Sequence, residues 1–140
     1  KAGWLEKARI FPSDILVHAK LDTGADYSSL NASNLREFDR DGKKWVSFEV
    51  TNRFDQKATV EEPVVRVAMV KKHFGKPARR LVVRLGICVA NHYMEADVNL
   101  VDRSNFENQM LLGRSFLAGN LVIDPALTFT AEPACNKPKS

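Results

Sequence analysis

Between residues 15 and 21 the side chains alternate, with Ile15, Val17, Ala19 and Leu21 falling on one face and His18 on the other. A period of two is the mark of a strand with one buried side. This strand runs directly into Asp22-Thr23-Gly24-Ala25, so a carboxylate is delivered at the end of a rigid element onto a tight turn. Gly24 lets the backbone turn where a Cβ would interfere, and Thr23 adds a small hydroxyl able to bond neighbouring backbone. The pattern elsewhere is also extended. Trp4 to Phe11 reads as a first strand ended by Pro12-Ser13-Asp14, and Asn31-Ala32-Ser33-Asn34 as a polar turn. Leu35 to Phe38 and Lys44 to Val50 flank Asp41-Gly42, a pair suited to a type I′ hairpin because both central positions need positive φ. Polar residues 52–57 then lead to Ala58-Thr59-Val60. Pro63 to Val70 and Leu81 to Val89 form a long hairpin with Gly75 and Pro77 at its basic tip, and Tyr93 to Leu100 gives a further strand. A short helix is expected over Arg114 to Leu117, and closing strands over Leu121 to Ile123 and Leu127 to Thr130.

At 140 residues the chain is expected to form one domain, with 1–140 as a single unit too small for two independent cores. A composition of 44% hydrophobic and 27% charged residues is that of an ordinary soluble domain. No uncharged run approaches a membrane span and no signal-type segment stands at Lys1, although a start without methionine fits removal of an upstream segment. The net charge of +4 comes from the second half, centred on Lys71, Lys72, Lys76, Arg79, Arg80 and Arg84. These charges read first as a solvated hairpin that blunts a sheet edge, and second as a docking site for an acidic substrate or partner. Nucleic acid is not expected, since the aromatic interleaving of a strand-binding surface is missing.

Asp22 is the candidate catalytic carboxylate. His18, His73 and His92 occur singly, the first two reading as exposed side chains, and no H-E-x-x-H pair is present. Neither Ser28 nor Ser29 sits in a nucleophile elbow, and Trp4 and Trp45 default to core packing. Cys88 and Cys135 lack CxxC spacing, which argues against a zinc knuckle; they are either two buried thiols or one disulfide pinning the C-terminal tail.

The Asp22-Thr23-Gly24-Ala25-Asp26 loop resembles the active-site loop of aspartic peptidases of the retroviral, single-lobed type. Met110-Leu111-Leu112-Gly113-Arg114 is similar to the segment that threads beneath that loop and enters a short helix. Together with the stretches 98–106 and 122–125, the chain resembles a bacterial retropepsin-like aspartic peptidase family, also labelled putative ATP-dependent zinc proteases. That resemblance implies an all-β, single-lobed retropepsin-like barrel with one short helix near the C-terminus, and an aspartic endopeptidase acting on a peptide or protein substrate. It implies no cofactor and no metal. Asp22, Thr23 and Gly24 are the implied catalytic residues, and Ala25, Asp26 and Arg114 the implied substrate-binding ones, with Asp26 and Arg114 as an ion pair. Where the bacterial family commonly carries a basic residue after Asp-Thr-Gly-Ala, Asp26 stands here. Because this chemistry uses two carboxylates sharing a proton, one copy of the loop requires a homodimer. Thr23 is then expected to bond across the two-fold axis, and Tyr27 and Leu30 to line or support the substrate cleft. By position after Asp22, the hairpin built on Lys44 to Val50 and Ala58 to Val60 resembles the flap that covers substrate. The alternatives are a zinc-dependent peptidase and a non-catalytic β-rich dimerisation or binding module. The compartment is the bacterial cytoplasm or, given a Cys88–Cys135 disulfide, the periplasm.

Overall fold

The alternation at residues 15–21 becomes a strand, β2 (Ile15–Leu21), and all four residues of its apolar face are buried. A computed structural model describes residues 1–70, 75–102 and 108–135 of the chain. Preceding β2 is β1 (Ala2–Phe11), which pairs with it antiparallel from Leu5 opposite Lys20 to Ile10 opposite Ile15. The remaining elements are β3 (Ser28–Asn31), β4 (Ser33–Arg40), β5 (Lys43–Thr51), β6 (Lys57–Pro63), β7 (Arg66–Val70), β8 (Ala78–Val89), β9 (His92–Val101), β10 (Met110–Leu112), α1 (Arg114–Leu117) and β11 (Ile123–Thr128).

One sheet runs in the order β11-β1-β2-β10-β3-β9-β8-β7, and β1 also pairs with β8. That second pairing, Ala8 opposite Val89 through Phe11 opposite Gly86, closes six strands into a barrel. β8 makes closure possible because it is long: Val82 through Val89 pair with β9, while the earlier Ala78–Val82 segment carries β7 as an outer edge. The all-β barrel with one short helix expected from the resemblance is the fold observed.

A separate three-stranded sheet, β4-β5-β6, packs Val46, Phe48, Val50 and Val60 into the same core as the barrel. Burying a side chain the size of Phe48 contributes roughly 1.5–3 kcal/mol. The β4–β5 turn has φ of 52° at Asp41 and 75° at Gly42, the positive pair expected of its sequence. The turn expected at Ser33-Asn34 is instead absorbed into β4. Asn34 takes φ 52° there, and the register slips between Ser33 and Arg36, so a bulge does the work of a turn. The two closing strands expected after the helix are one strand, β11, running parallel to β1.

Two readings of single residues change. Trp4 is 38% exposed rather than in the core. His18, expected to be exposed, is 7% exposed. It is covered by Phe129, with ring centres 4.8 Å apart, and by Phe54 at 6.4 Å, while Arg53 Nη1 lies 3.0 Å from its Nδ1. His73 lies outside the described residues. The tail that carries Phe129 is fastened at several points. Thr130 donates its N–H and its hydroxyl to the buried Glu6 carboxylate, Ala134 N–H donates to the Ala90 carbonyl, and Cys135 is disulfide-bonded to Cys88.

Candidate functional site

Asp22 sits where β2 ends, flanked on one side by β10, whose Leu112 lies opposite Leu21. The Asp22 N–H donates to the Leu112 carbonyl at 2.9 Å, so the position of the residue is fixed by the barrel wall. Its Oδ1 accepts the Gly24 N–H at 2.9 Å, and Ala25 N–H returns to the Asp22 carbonyl at 3.2 Å. One carboxylate oxygen is therefore held by the turn. Among the described residues Oδ2 accepts no hydrogen bond. Asp22 is half-buried, and Thr23 and Gly24 beside it are exposed.

Beneath this turn passes the segment from β10 into α1. A Cβ at Gly113 would lie 2.6 Å from the Tyr27 carbonyl oxygen and 2.8 Å from that of Ala25, so only glycine lets the two chain segments come this close. The closeness is used for hydrogen bonds. Gly113 N–H donates to Ser28 Oγ at 3.1 Å, Arg114 N–H to the Ala25 carbonyl at 2.7 Å, and Ser115 N–H to the Asp26 carbonyl at 3.0 Å. The Arg114 side chain then reaches around the loop, donating to the Thr23 carbonyl at 2.9 Å and pairing with the Asp26 carboxylate. Both partners of that ion pair are largely exposed, so its charge contributes at most about 1 kcal/mol; its effect is to orient the loop.

Asp22, Thr23, Gly24, Ala25, Asp26 and Arg114 are thus brought together, with the Asp26–Arg114 ion pair formed. Sequence reasoning missed two supporting residues. Ser28 is fully buried and accepts from Gly113, and Asn99 Nδ2 donates to the Ser28 carbonyl at 2.9 Å, locking β3 to β9. Of the two cleft candidates, Leu30 is fully buried in the core and Tyr27 is 65% exposed.

Two hollows meet at Tyr27. The smaller, of about 280 Å³, is lined by Tyr27, Arg66, Met69, Val70 and Asn99 among others. The larger, of about 420 Å³, lies between Tyr27, Arg66, Met94, Asp97 and Ser115. β7 walls the smaller hollow with Ala68, Met69 and Val70, whereas the larger is walled chiefly by Met94 to Asp97 of β9; Arg66 borders both. The hairpin expected to be the flap, β5–β6, is elsewhere: its tip is pinned by Asn52 Nδ2 donating to the Leu16 carbonyl at 2.9 Å and by Arg53 against His18. Leu16 is six residues up β2 from Asp22, roughly 20 Å along an extended strand.

The basic hairpin finds its acids in space rather than in sequence. Arg79 donates to both oxygens of Glu37 on β4, at 3.0 and 3.2 Å, and Arg84 to Asp97 on β9 at 3.2 Å. The Arg79 hydrogen bond holds the Glu37 carboxyl below its ordinary range. Lys71 and Lys72 lie outside the described residues. Among the described residues no three His, Cys, Asp or Glu side chains gather as a metal-ligand set, and no helix is long and apolar enough to cross a membrane.

Comparison with known proteins bears on the same loop-and-barrel arrangement. A solved structure of Lpg0085 from Legionella pneumophila, titled as a DUF785 protein of unknown function, superposes with a TM-score of 0.81 at 32% identity, covering 94% of this chain and 97% of that one. Among curated proteins, a probable alpha-L-glutamate ligase from Desulfotalea psychrophila is 36% identical over 114 residues, 79% of this chain. A protein of the same name from Shewanella halifaxensis is 31% identical over 116 residues, 81% of this chain. The chain spans 25% of the length of each of these two relatives. A family described as RimB-like, "Retropepsin-like aspartic endopeptidase RimB", matches residues 1–134, and the chain belongs to this RimB-like, retropepsin-like family.

Proposed function

We propose that the chain is an aspartic endopeptidase whose working unit is a pair of identical chains, each supplying Asp22. The observation that carries this reading is the Asp22 turn, held from beneath by Leu112 and Arg114 yet leaving Thr23 and Gly24 exposed at its crest. Two carboxylates brought close cannot both ionise, so the pair holds one proton between them. The ionised member takes a proton from water, and the resulting hydroxide adds to the substrate carbonyl. Meanwhile the protonated member gives its proton to that carbonyl oxygen. On collapse of the tetrahedral intermediate the carboxyl that had received the water proton gives it to the departing amine, and a hydroxyl of the diol returns its proton to the other carboxylate, restoring the shared proton. Thr23 bonds the partner loop, and Asp26, oriented by Arg114, holds substrate backbone.

The substrate we assign is a peptide rich in glutamate. Support comes from the relatives named as alpha-L-glutamate ligases, in which a region like this one makes up a quarter of a longer chain. The disulfide between Cys88 and Cys135 supports an oxidising compartment, of which the periplasm is one.

The test is cleavage of glutamate-rich peptides over a range of pH and protein concentration, with wild type, Asp22→Asn and Thr23→Val. Cleavage should vanish in Asp22→Asn with the fold retained by circular dichroism. Turnover per chain should rise with concentration, and Thr23→Val should shift that rise to higher concentration, since each polar group left unpaired in the contact costs about 1–3 kcal/mol. Full activity in Asp22→Asn, or undiminished turnover in a strictly monomeric sample, would overturn the proposal. Activity lost to a chelator and restored by zinc would favour the metal alternative, and absence of cleavage at any pH the binding module.

A further inference from the structure

Arg66 stands apart from the other arginines whose partners define the β7–β8 hairpin. Arg79 is spent on Glu37 and Arg84 on Asp97, whereas Arg66 has no carboxylate within 4.0 Å among the described residues. Its guanidinium carbon lies 5.8 Å from the centre of the Tyr27 ring, a cation held over an aromatic face. Tyr27 directly follows Asp26, so this cation sits at the edge of the loop that carries Asp22. Arg66 also lines both hollows that meet at Tyr27.

The two hollows differ in charge. The larger contains Glu95 and the Arg84–Asp97 pair, so an incoming carboxylate meets a like charge there. In the smaller, the one acid is Asp97, already neutralised by Arg84, and the Asn99 amide is engaged with the Ser28 carbonyl. What remains for a guest is an apolar wall of Ala68, Met69 and Val70 with a guanidinium at its rim. That combination matches a side chain with a short aliphatic stem and a terminal carboxylate: the methylenes lie on the apolar wall, and the carboxylate meets a planar donor fork.

We infer that Arg66 is a specificity-determining residue, receiving in the smaller hollow the carboxylate of an acidic side chain that flanks the scissile bond. This rests on the peptidase reading above for its substrate, but it assigns a role to a residue outside the Asp22 loop and the Gly113 segment.

The experiment compares labelled hexaglutamate and hexaglutamine peptides with wild type, Arg66→Gln, Arg66→Lys and Arg66→Glu. The readout is the ratio of kcat/KM for the two peptides. Wild type should favour the glutamate peptide by about fivefold at low ionic strength, the range of an incompletely buried charge pair. The preference should shrink as salt screens the contact. Arg66→Gln should bring the ratio to about one, Arg66→Lys should keep part of it as a point charge without the fork, and Arg66→Glu should invert it. An unaltered ratio in Arg66→Gln overturns the inference while leaving the peptidase reading intact. If wild type cleaves neither peptide, the peptidase reading fails, and the inference is read from fluorescence anisotropy of the same peptides on Asp22→Asn. There an affinity difference lost in Asp22→Asn/Arg66→Gln supports it, and equal affinity for both peptides overturns it.

Discussion

Two hairpins, β5–β6 and β7–β8, have similar sequences of extended apolar runs around polar tips, yet they do opposite things. The tip of β5–β6 is clamped. Asn52 is 3% exposed and its amide donates to the Leu16 carbonyl and to Gln56 Oε1, while its oxygen accepts the Phe54 and Gln56 N–H groups. β7, in contrast, is an outer edge whose Val65, Val67, Met69 and Val70 surroundings stay exposed, and its inner face forms the wall over Tyr27. The first hairpin is fastened to the back of the strand that delivers Asp22, and β7 of the second lines a hollow at Tyr27, just past that loop. Order along the chain does not say which hairpin lies beside the Asp22 loop; the strands each one packs against decide it.

The sharpest way to test this contrast is to cut the clamp. Asn52→Ala strands the Leu16 carbonyl and the Phe54 and Gln56 N–H groups, and should lower stability by about 2–3 kcal/mol in urea unfolding. KM for peptide should stay unchanged, and a large rise in KM would mean that β5–β6 covers the site after all.

A smaller effect is expected from pH at the same clamp. Burial, followed by the charges of Arg53 and Lys7, lowers the His18 pKa from its ordinary 6.5. In the unfolded chain His18 takes up a proton as pH falls through about 6.5, and in the folded chain it does so only at lower pH. Stability contributed by neutral His18 is therefore whole above that value and declines below it, as the donor Arg53 faces a cation. Denaturation midpoints measured from pH 8 to 5 should fall less steeply in His18→Gln than in wild type. An identical slope in the two proteins would remove His18 from the clamp's titration.

The smallest effect belongs to the tie between the two regions. Glu37→Gln breaks the exposed pair with Arg79 that joins β4 to the turn-proximal end of the β7–β8 hairpin. Exposed pairs contribute little and are screened by salt, so both the unfolding midpoint and KM should lie near wild type. A marked change in KM would show that the three-stranded sheet sets the position of the β7 wall.

The Asp22 turn was legible because it is local, an alternating strand ending in Asp-Thr-Gly, whereas its support by Leu111-Leu112-Gly113 was read only through the family resemblance, the close approach at Gly113 being visible in the structure alone. β3 was not. Ser28-Ser29-Leu30-Asn31 carries one apolar side chain, and its strand character comes from β9 and β10 on either side. His18 was misread because alternation reports only which face of β2 meets the barrel core. The opposite face is covered by Phe129 from the far end of the chain, and no periodicity near residue 18 carries that information. The cysteine pairing was equally silent in sequence, since it depends on the tail returning to the turn after β8.

That returning tail has a consequence for how two chains could associate. β11 lies in its own subunit's sheet beside β1 and forms its outer border. Pro125 offers no N–H along that border, and the Ala126 N–H is taken by Asp124 Oδ1 at 2.9 Å. A neighbouring strand finds few donors there, so the sheet resists growth at this border. Under the paired-chain reading, contact would then be made by crossing loops and not by a ladder continued through β11. Such subunits would part and meet readily, leaving a reservoir of idle single chains that becomes active only where the protein is crowded together.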